Sequence, residues 1–227
     1  MLRNKDNIFQ LNRFEKKFIM SNSSYTYNFI KSFFSKDAVY SENYIFNIYF
    51  DDSGLRTLYE KLDGDLHRYK IRVRWYAANP ELYIPDKAKL ENKTKFGAGS
   101  IKKSCSIEMP SDNISELLSR KTWKKQLFNH LSKISLPPND NFLPVMISRY
   151  RRRRFIDPQT DSRISFDDDI CSLALAPNIN ARGITLRKLK NAVLEIKNTN
   201  GKIPYLLNNQ PQIRLTSFSK YGLLLEP

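Results

Sequence analysis

Apolar and polar residues alternate over many short runs of this chain, the two-residue period of half-buried β-strands. The runs are Arg13–Ile19, Tyr44–Asp51, Tyr69–Tyr76, Ala88–Lys95, Ser100–Glu108, Val145–Phe155, Arg163–Ile170, Ala192–Asn198 and Gln212–Lys220. Gly97-Ala98-Gly99 between two of them predicts a hairpin turn. Helical spacing is rarer. It predicts helices over Ser21–Phe34, with Ser and Asn to cap its start, and over Ser53–Leu62, after Asp51-Asp52. One or two more are expected within Asn113–Ser135, where Trp123, Leu127 and Leu131 recur every four residues, and a short one over Ile203–Asn208, opened by Pro204. Many antiparallel-looking strands with few helices predict an α+β protein: a closed antiparallel β-barrel of about eight strands with peripheral helices. No repeat, linker or composition shift divides the chain, so residues 1–227 are expected to form a single domain.

The polar half of the alternation carries the chemistry. In Arg68–Tyr76, Lys70, Arg72 and Arg74 share one strand face, while Tyr69, Ile71, Val73 and Trp75 share the other. Glu15 with Lys17, Glu91 with Lys93 and Lys95, Tyr150 with Arg152, and Glu195 with Lys197 repeat the arrangement. Any one Glu-x-Lys, or the Arg149–Arg154 run, reads by itself as a solvated face, and Trp75 reads as core. Recurrence on separate strands of one barrel is different. Cations facing a shared interior repel one another strongly, and a polyanion, with or without a divalent metal, relieves that repulsion. A barrel of this size can hold such a ligand.

Bulk numbers agree. Thirty-eight Lys and Arg against 23 acids leave a net charge of +15, which calls for an anionic partner. Cys105 and Cys171 are too few for a disulfide framework, and with His67 and His130 as the sole histidines no His-built metal site is expected. There is no signal peptide and no apolar run long enough to cross a bilayer, so a cytoplasmic location is expected. Gly97–Ser104 looks like a phosphate loop in composition but lacks a Gly directly before Lys-Ser and opens no helix. Asp167-Asp168-Asp169 is expected to form a solvated turn at a strand end.

In order along the chain, these motifs resemble the VTC-type polyphosphate polymerase domain of the triphosphate tunnel metalloenzyme superfamily. The matching pieces are Phe14-Glu15-Lys16-Lys17-Phe18, Asn47–Asp51 with Leu58-Tyr59, Arg72-Val73-Arg74-Trp75-Tyr76 and Leu90-Glu91-Asn92-Lys93. Tyr150-Arg151-Arg152, Arg163–Asp167, Leu194–Lys197 and Phe218–Tyr221 complete the set. The Arg-x-Arg-Trp-Tyr strand is the most specific of them.

The resemblance implies a tunnel-shaped barrel lined by Lys and Arg. Lys17, Arg72, Arg74, Lys93, Arg152, Arg163, Lys197 and Lys220 would be its catalytic phosphate contacts. Lys102, Lys103, Tyr150 and Ser219 would bind phosphate, and Glu195 with Glu15 would hold Mn2+ or Mg2+. The implied activity is transfer of the ATP γ-phosphoryl group to a growing polyphosphate chain, with inorganic phosphate or pyrophosphate as primer. Asn92 and Ser217 depart from the pattern, and the SPX domain and membrane helices of fungal members have no counterpart in this sequence. A membrane-protein partner is left open, and no nucleic-acid partner is expected.

The acceptor of a polymerase is an already ionised phosphate oxygen and needs no general base, whereas a hydrolase must activate water. With Glu15, Glu91 and Glu195 as the interior acids, the expectation leans to the polymerase. The alternatives are a tripolyphosphatase or nucleoside triphosphatase of the same fold, a non-catalytic polyphosphate-binding module, and a nucleic-acid binder using Arg149–Arg154.

Overall fold

The computed structural model describes residues 14–22, 24–97, 99–136, 141–208, 210, 213–216 and 219–225. Its strands are β1 (Phe14–Ser21), β2 (Ser35–Lys36), β3 (Glu42–Asp51), β4 (His67–Ala77), β5 (Lys87–Phe96), β6 (Gly99–Glu108), β7 (Leu143–Asp157), β8 (Ser162–Leu175), β9 (Asn191–Asn198) and β10 (Arg214–Leu215). The helices are α1 (Ser24–Phe33), α2 (Arg56–Leu62), α3 (Ile114–Leu117), α4 (Arg120–His130), α5 (Pro177–Asn180), α6 (Tyr205–Asn208) and α7 (Lys220–Leu225). The fold is α+β, as the alternation predicts.

All strands join one antiparallel sheet in the order β10-β1-β9-β8-β7-β3-β4-β5-β6, with β2 beside β7. The sheet curls so that its inner face surrounds a cationic interior, and Lys93 of β5 reaches Glu15 of β1 at 2.8 Å. This corrects the expectation of a fully closed barrel. Among the described residues β1 and β6 share no backbone pairing, and side chains span the gap. The free edge of β1 is taken instead by β10, which pairs Phe18 with Leu215 and Ile19 with Arg214.

The outer face carries two cores. Phe18, Met20, Phe155, Ile164, Phe166, Leu194 and Ile196 pack under Ile30 and Phe34. On the other side Trp123, Leu127 and Leu131, at the predicted spacing, cover β3 to β6, with Trp123 edge-on to Phe50 at 5.1 Å. Trp75 stacks on Phe46 and donates its indole N–H to the Tyr83 carbonyl, so it is core. Asn92 also points outward, to the Ile134 carbonyl.

Three local features set the site. Asp51, fully buried, caps α2 through the Thr57 and Leu58 amides and accepts from Tyr221 Oη at 2.7 Å. It thereby moors α7 beside the interior. A bulge in β8 holds Asp169 at φ 49, so that Asp168 and Asp169 both meet outward arginines of β7. The run Asp167–Asp169 is therefore inside a strand and ion-paired, not a solvated turn. Finally, of the predicted strand Gln212–Lys220 the described residues Arg214–Leu215 form β10, and Lys220 opens a helix. Arg13, Ala98, Gln212, Ser217 and Phe218 lie outside the described residues.

Candidate functional site: a cationic tunnel

Strand alternation places Lys17, Lys70, Arg72, Arg74, Lys93, Lys102, Tyr150, Arg152 and Lys197 on the inner face, with Lys220 and Ser219 entering from the start of α7. Four carboxylates face them, and each serves more than one cation.

Glu91, 2% exposed, holds Arg72 at 2.8 Å, Lys102 at 2.5 Å and Arg74 at 3.9 Å. Burial by itself would raise its carboxyl, but these three cations outweigh burial and bring it down to about 2. Arg74 also donates to Asn47 Oδ1 (2.9 Å) and to Tyr150 Oη (3.0 Å). Asp167, fully buried, takes Arg152 through two bonds of 2.6 Å and Lys220 at 2.6 Å. Glu195 faces Arg152, Lys197 and Lys220 at 3.1, 3.2 and 3.4 Å. Glu15 pairs with Lys17 at 3.2 Å and Lys93 at 2.8 Å. Burial opposes ionisation of all three, yet neighbouring cations win and hold each below the ordinary carboxylate range.

Tyr150 is buried between cations, with Lys220 4.8 Å and Arg152 5.4 Å from its ring centre. Burial would raise its phenol, but Arg74, Arg152 and Lys220 pull it below the usual tyrosine value. Lys70 is different. Its Nζ donates to Ser219 Oγ at 2.9 Å and lies over the rings of Tyr49 and Tyr221.

Twelve of the fourteen site residues expected from the sequence therefore come together: Glu15, Lys17, Arg72, Arg74, Lys93, Lys102, Tyr150, Arg152, Glu195, Lys197, Ser219 and Lys220. Arg163 lies on the inner face of β8 opposite Lys197 but is exposed, at the end of the interior. Lys103 pairs with Asn92 and so belongs to the outer face of β6. Asp167, Asn47 and Lys70 were missed or left unassigned. Asp167 stands four residues after Arg163 on the same strand face, and that parity was the available signal for it.

Glu15 and Glu195 sit on adjoining strands, each diagonal to the other across the β1–β9 ladder. Among the described residues, no three His, Cys, Asp or Glu side chains gather into a metal-holding group. Both carboxylates are occupied by lysines or arginines. The donor set thus fits a hard cation that enters already bound to phosphate oxygens, where one or two carboxylates suffice. The arginines of β7 on the outer face do not form a free basic patch. Arg149 is paired with Asp169, and Arg151 and Arg153 with Asp168. No helix among the described residues is long and apolar enough to cross a membrane.

A search of curated proteins returns no match. Solved structures with similar shape include a Hippeastrum protein with a dominant triphosphatase activity (15% identity, 82% of this chain and 79% of that one, TM-score 0.41). They also include the PH1819 protein of Pyrococcus horikoshii (12%, 94% and 96%, TM-score 0.47) and a candidate adenylate cyclase of Bacillus halodurans (12%, 84% and 81%, TM-score 0.43). The VTC domain family, by contrast, matches residues 12–225, nearly the whole chain, and the chain belongs to that family.

Proposed function

We propose that residues 1–227 act as one VTC-type domain, an ATP-dependent polyphosphate polymerase that passes the γ-phosphoryl group to a phosphate chain threaded through the tunnel. One observation carries this reading beyond family membership. The four carboxylates that face the cations among the described residues, Glu15, Glu91, Asp167 and Glu195, are held in ion pairs and kept strongly acidic. A carboxylate in that state is a poor base for water. A phosphate acceptor is ionised already and needs none, so the site suits transfer to phosphate better than hydrolysis.

The chain's own residues would then act by position and charge. Arg72, Arg74 and Arg152 present planar forks to phosphate oxygens, and Lys17, Lys93, Lys102, Lys197 and Lys220 add point charges. Tyr150 and Ser219 add hydroxyl contacts. Glu195 and Glu15 would hold Mn2+ or Mg2+ arriving with the phosphates, a cation that would supply positive charge to the transferred group. Inorganic phosphate or pyrophosphate would serve as primer, and the cytoplasm, where ATP is made available, as the setting.

A tripolyphosphatase is the second reading, since the same inner-face cations would hold a triphosphate equally well. Incubation with ATP, pyrophosphate and Mn2+ separates the two. Long polyphosphate on a gel supports the polymerase. Release of orthophosphate alone overturns it for the hydrolase, and binding of polyphosphate without turnover under any metal leaves a binding module.

A further inference from the structure

Lys70 is an inner-face cation for which neither the ion pairs nor the hydrogen bonds of the described residues provide a carboxylate. Lys17 and Lys93 have Glu15; Arg72, Arg74 and Lys102 have Glu91; Arg152, Lys197 and Lys220 have Glu195 or Asp167. The ammonium of Lys70 meets the Ser219 hydroxyl at 2.9 Å and two tyrosine rings, with centroids at 5.9 Å (Tyr49) and 5.5 Å (Tyr221). Ser219 Oγ also accepts from the Gly222 amide at 3.1 Å. With two donors already on that oxygen, its own O–H proton is left to point at an acceptor. An ammonium with unused donors beside a hydroxyl with an unused proton is complementary to one oxygen of a phosphate group.

We propose that Lys70 and Ser219 together form a phosphate-binding subsite of the tunnel, in which Lys70 supplies the charge and Ser219 orients it. The proposal rests on the polyanion-tunnel reading above, and it concerns a lysine to which that reading gives no role.

A second consequence concerns protons. Burial, then Lys17 on β1, Arg72 on β4, Lys93 on β5 and Lys61 on α2, all push the Lys70 ammonium well below its ordinary value. The other groups facing it are Tyr49 on β3 and Tyr221 on α7, and the leading effects all act in the same direction. An entering polyanion does oppose them, so it raises the affinity of Lys70 for its proton. Binding therefore takes up a proton wherever the pH lies between the free and the ligand-bound values. Affinity weakens as pH rises through that window.

The test is calorimetry of inorganic tripolyphosphate in EDTA, in two buffers of different ionisation enthalpy, with the intact chain and with Lys70→Met and Lys70→Arg. The ligand's own titration is common to all three. Lys70→Met should bind about tenfold to a hundredfold more weakly, the scale of one lost charge-assisted hydrogen bond. Lys70→Arg stays charged even when buried, so it should keep most of the affinity while taking up fewer protons than the unaltered chain. Circular dichroism checks that both variants are folded. Lys70→Met binding within about twofold of the unaltered chain, or Lys70→Arg taking up as many protons as that chain, overturns the proposal and leaves the tunnel reading intact. Failure of the unaltered chain to bind tripolyphosphate removes both.

Discussion

Glu91→Gln is the sharpest perturbation of the tunnel. The substitution keeps size and removes one charge whose side chain is 3% exposed and which anchors Arg72, Arg74 and Lys102. A carboxyl held at about 2 instead of 4.5 contributes about 3 kcal/mol at neutral pH. For a chain of this length that is about 6–12 °C in Tm. The folded value lies below the unfolded one, so the contribution is complete above about pH 4.5 and is lost as pH falls through about 2. Glu91→Gln should thus melt lower than the unaltered chain at pH 7 and converge with it near pH 2. The same three cations, left without a partner, should be satisfied by a polyanion. Metal-free tripolyphosphate should therefore raise the Tm of Glu91→Gln by more than it raises that of the unaltered chain. Thermal unfolding followed by circular dichroism, with and without tripolyphosphate, measures both effects. Equal melting at pH 7, or equal gains from the ligand, would refute the view that Glu91 stands in for substrate charge.

Other outcomes follow from the same geometry. Arg74→Ala should cost far more polyphosphate synthesis than Arg153→Ala, because Arg74 meets Tyr150, Asn47 and Glu91 inside, while Arg153 covers the Tyr27 ring outside; equal losses in a synthesis assay would mean the strand faces are misassigned. Glu195→Gln should abolish metal-dependent turnover yet leave metal-free tripolyphosphate binding as tight or tighter, since the tunnel gains positive charge. Retained turnover at saturating Mn2+ would rule out its metal role. Asp51→Ala should cost about 3–5 kcal/mol by uncapping α2 and leaving Tyr221 Oη buried without its acceptor. It should also weaken tripolyphosphate binding, because α7 carries Lys220; urea unfolding and calorimetry report the two effects.

Much of this molecule was legible without coordinates, because a strand imposes a period of two on its side chains. That period alone assigns Arg72 and Arg74 to one face and Trp75 to the other, and it sorts Glu195 and Lys197 from Leu194 and Ile196. It also places Trp123, Leu127 and Leu131 on a helix face. Parity along a strand does not say what lies across the interior. Glu91 and Lys93 share a face, yet Glu91 serves Arg72 and Lys102 while Lys93 crosses to Glu15. Those pairings depend on how far the sheet curls and where β10 blocks the edge of β1. The bulge at Asp169 defeats simple alternation, since one extra residue turns two adjacent aspartates to the same side and hides them in ion pairs. The role of α7 likewise follows from a long-range contact, Tyr221 to Asp51, that no local pattern encodes. Residue type and the two-residue period settle which side chains are cationic, which alternate, and hence that an anionic ligand is called for. Which carboxylate neutralises which cation, and that Lys70 faces a hydroxyl instead, follow from the folded chain, because ion pairing depends on distances across the tunnel.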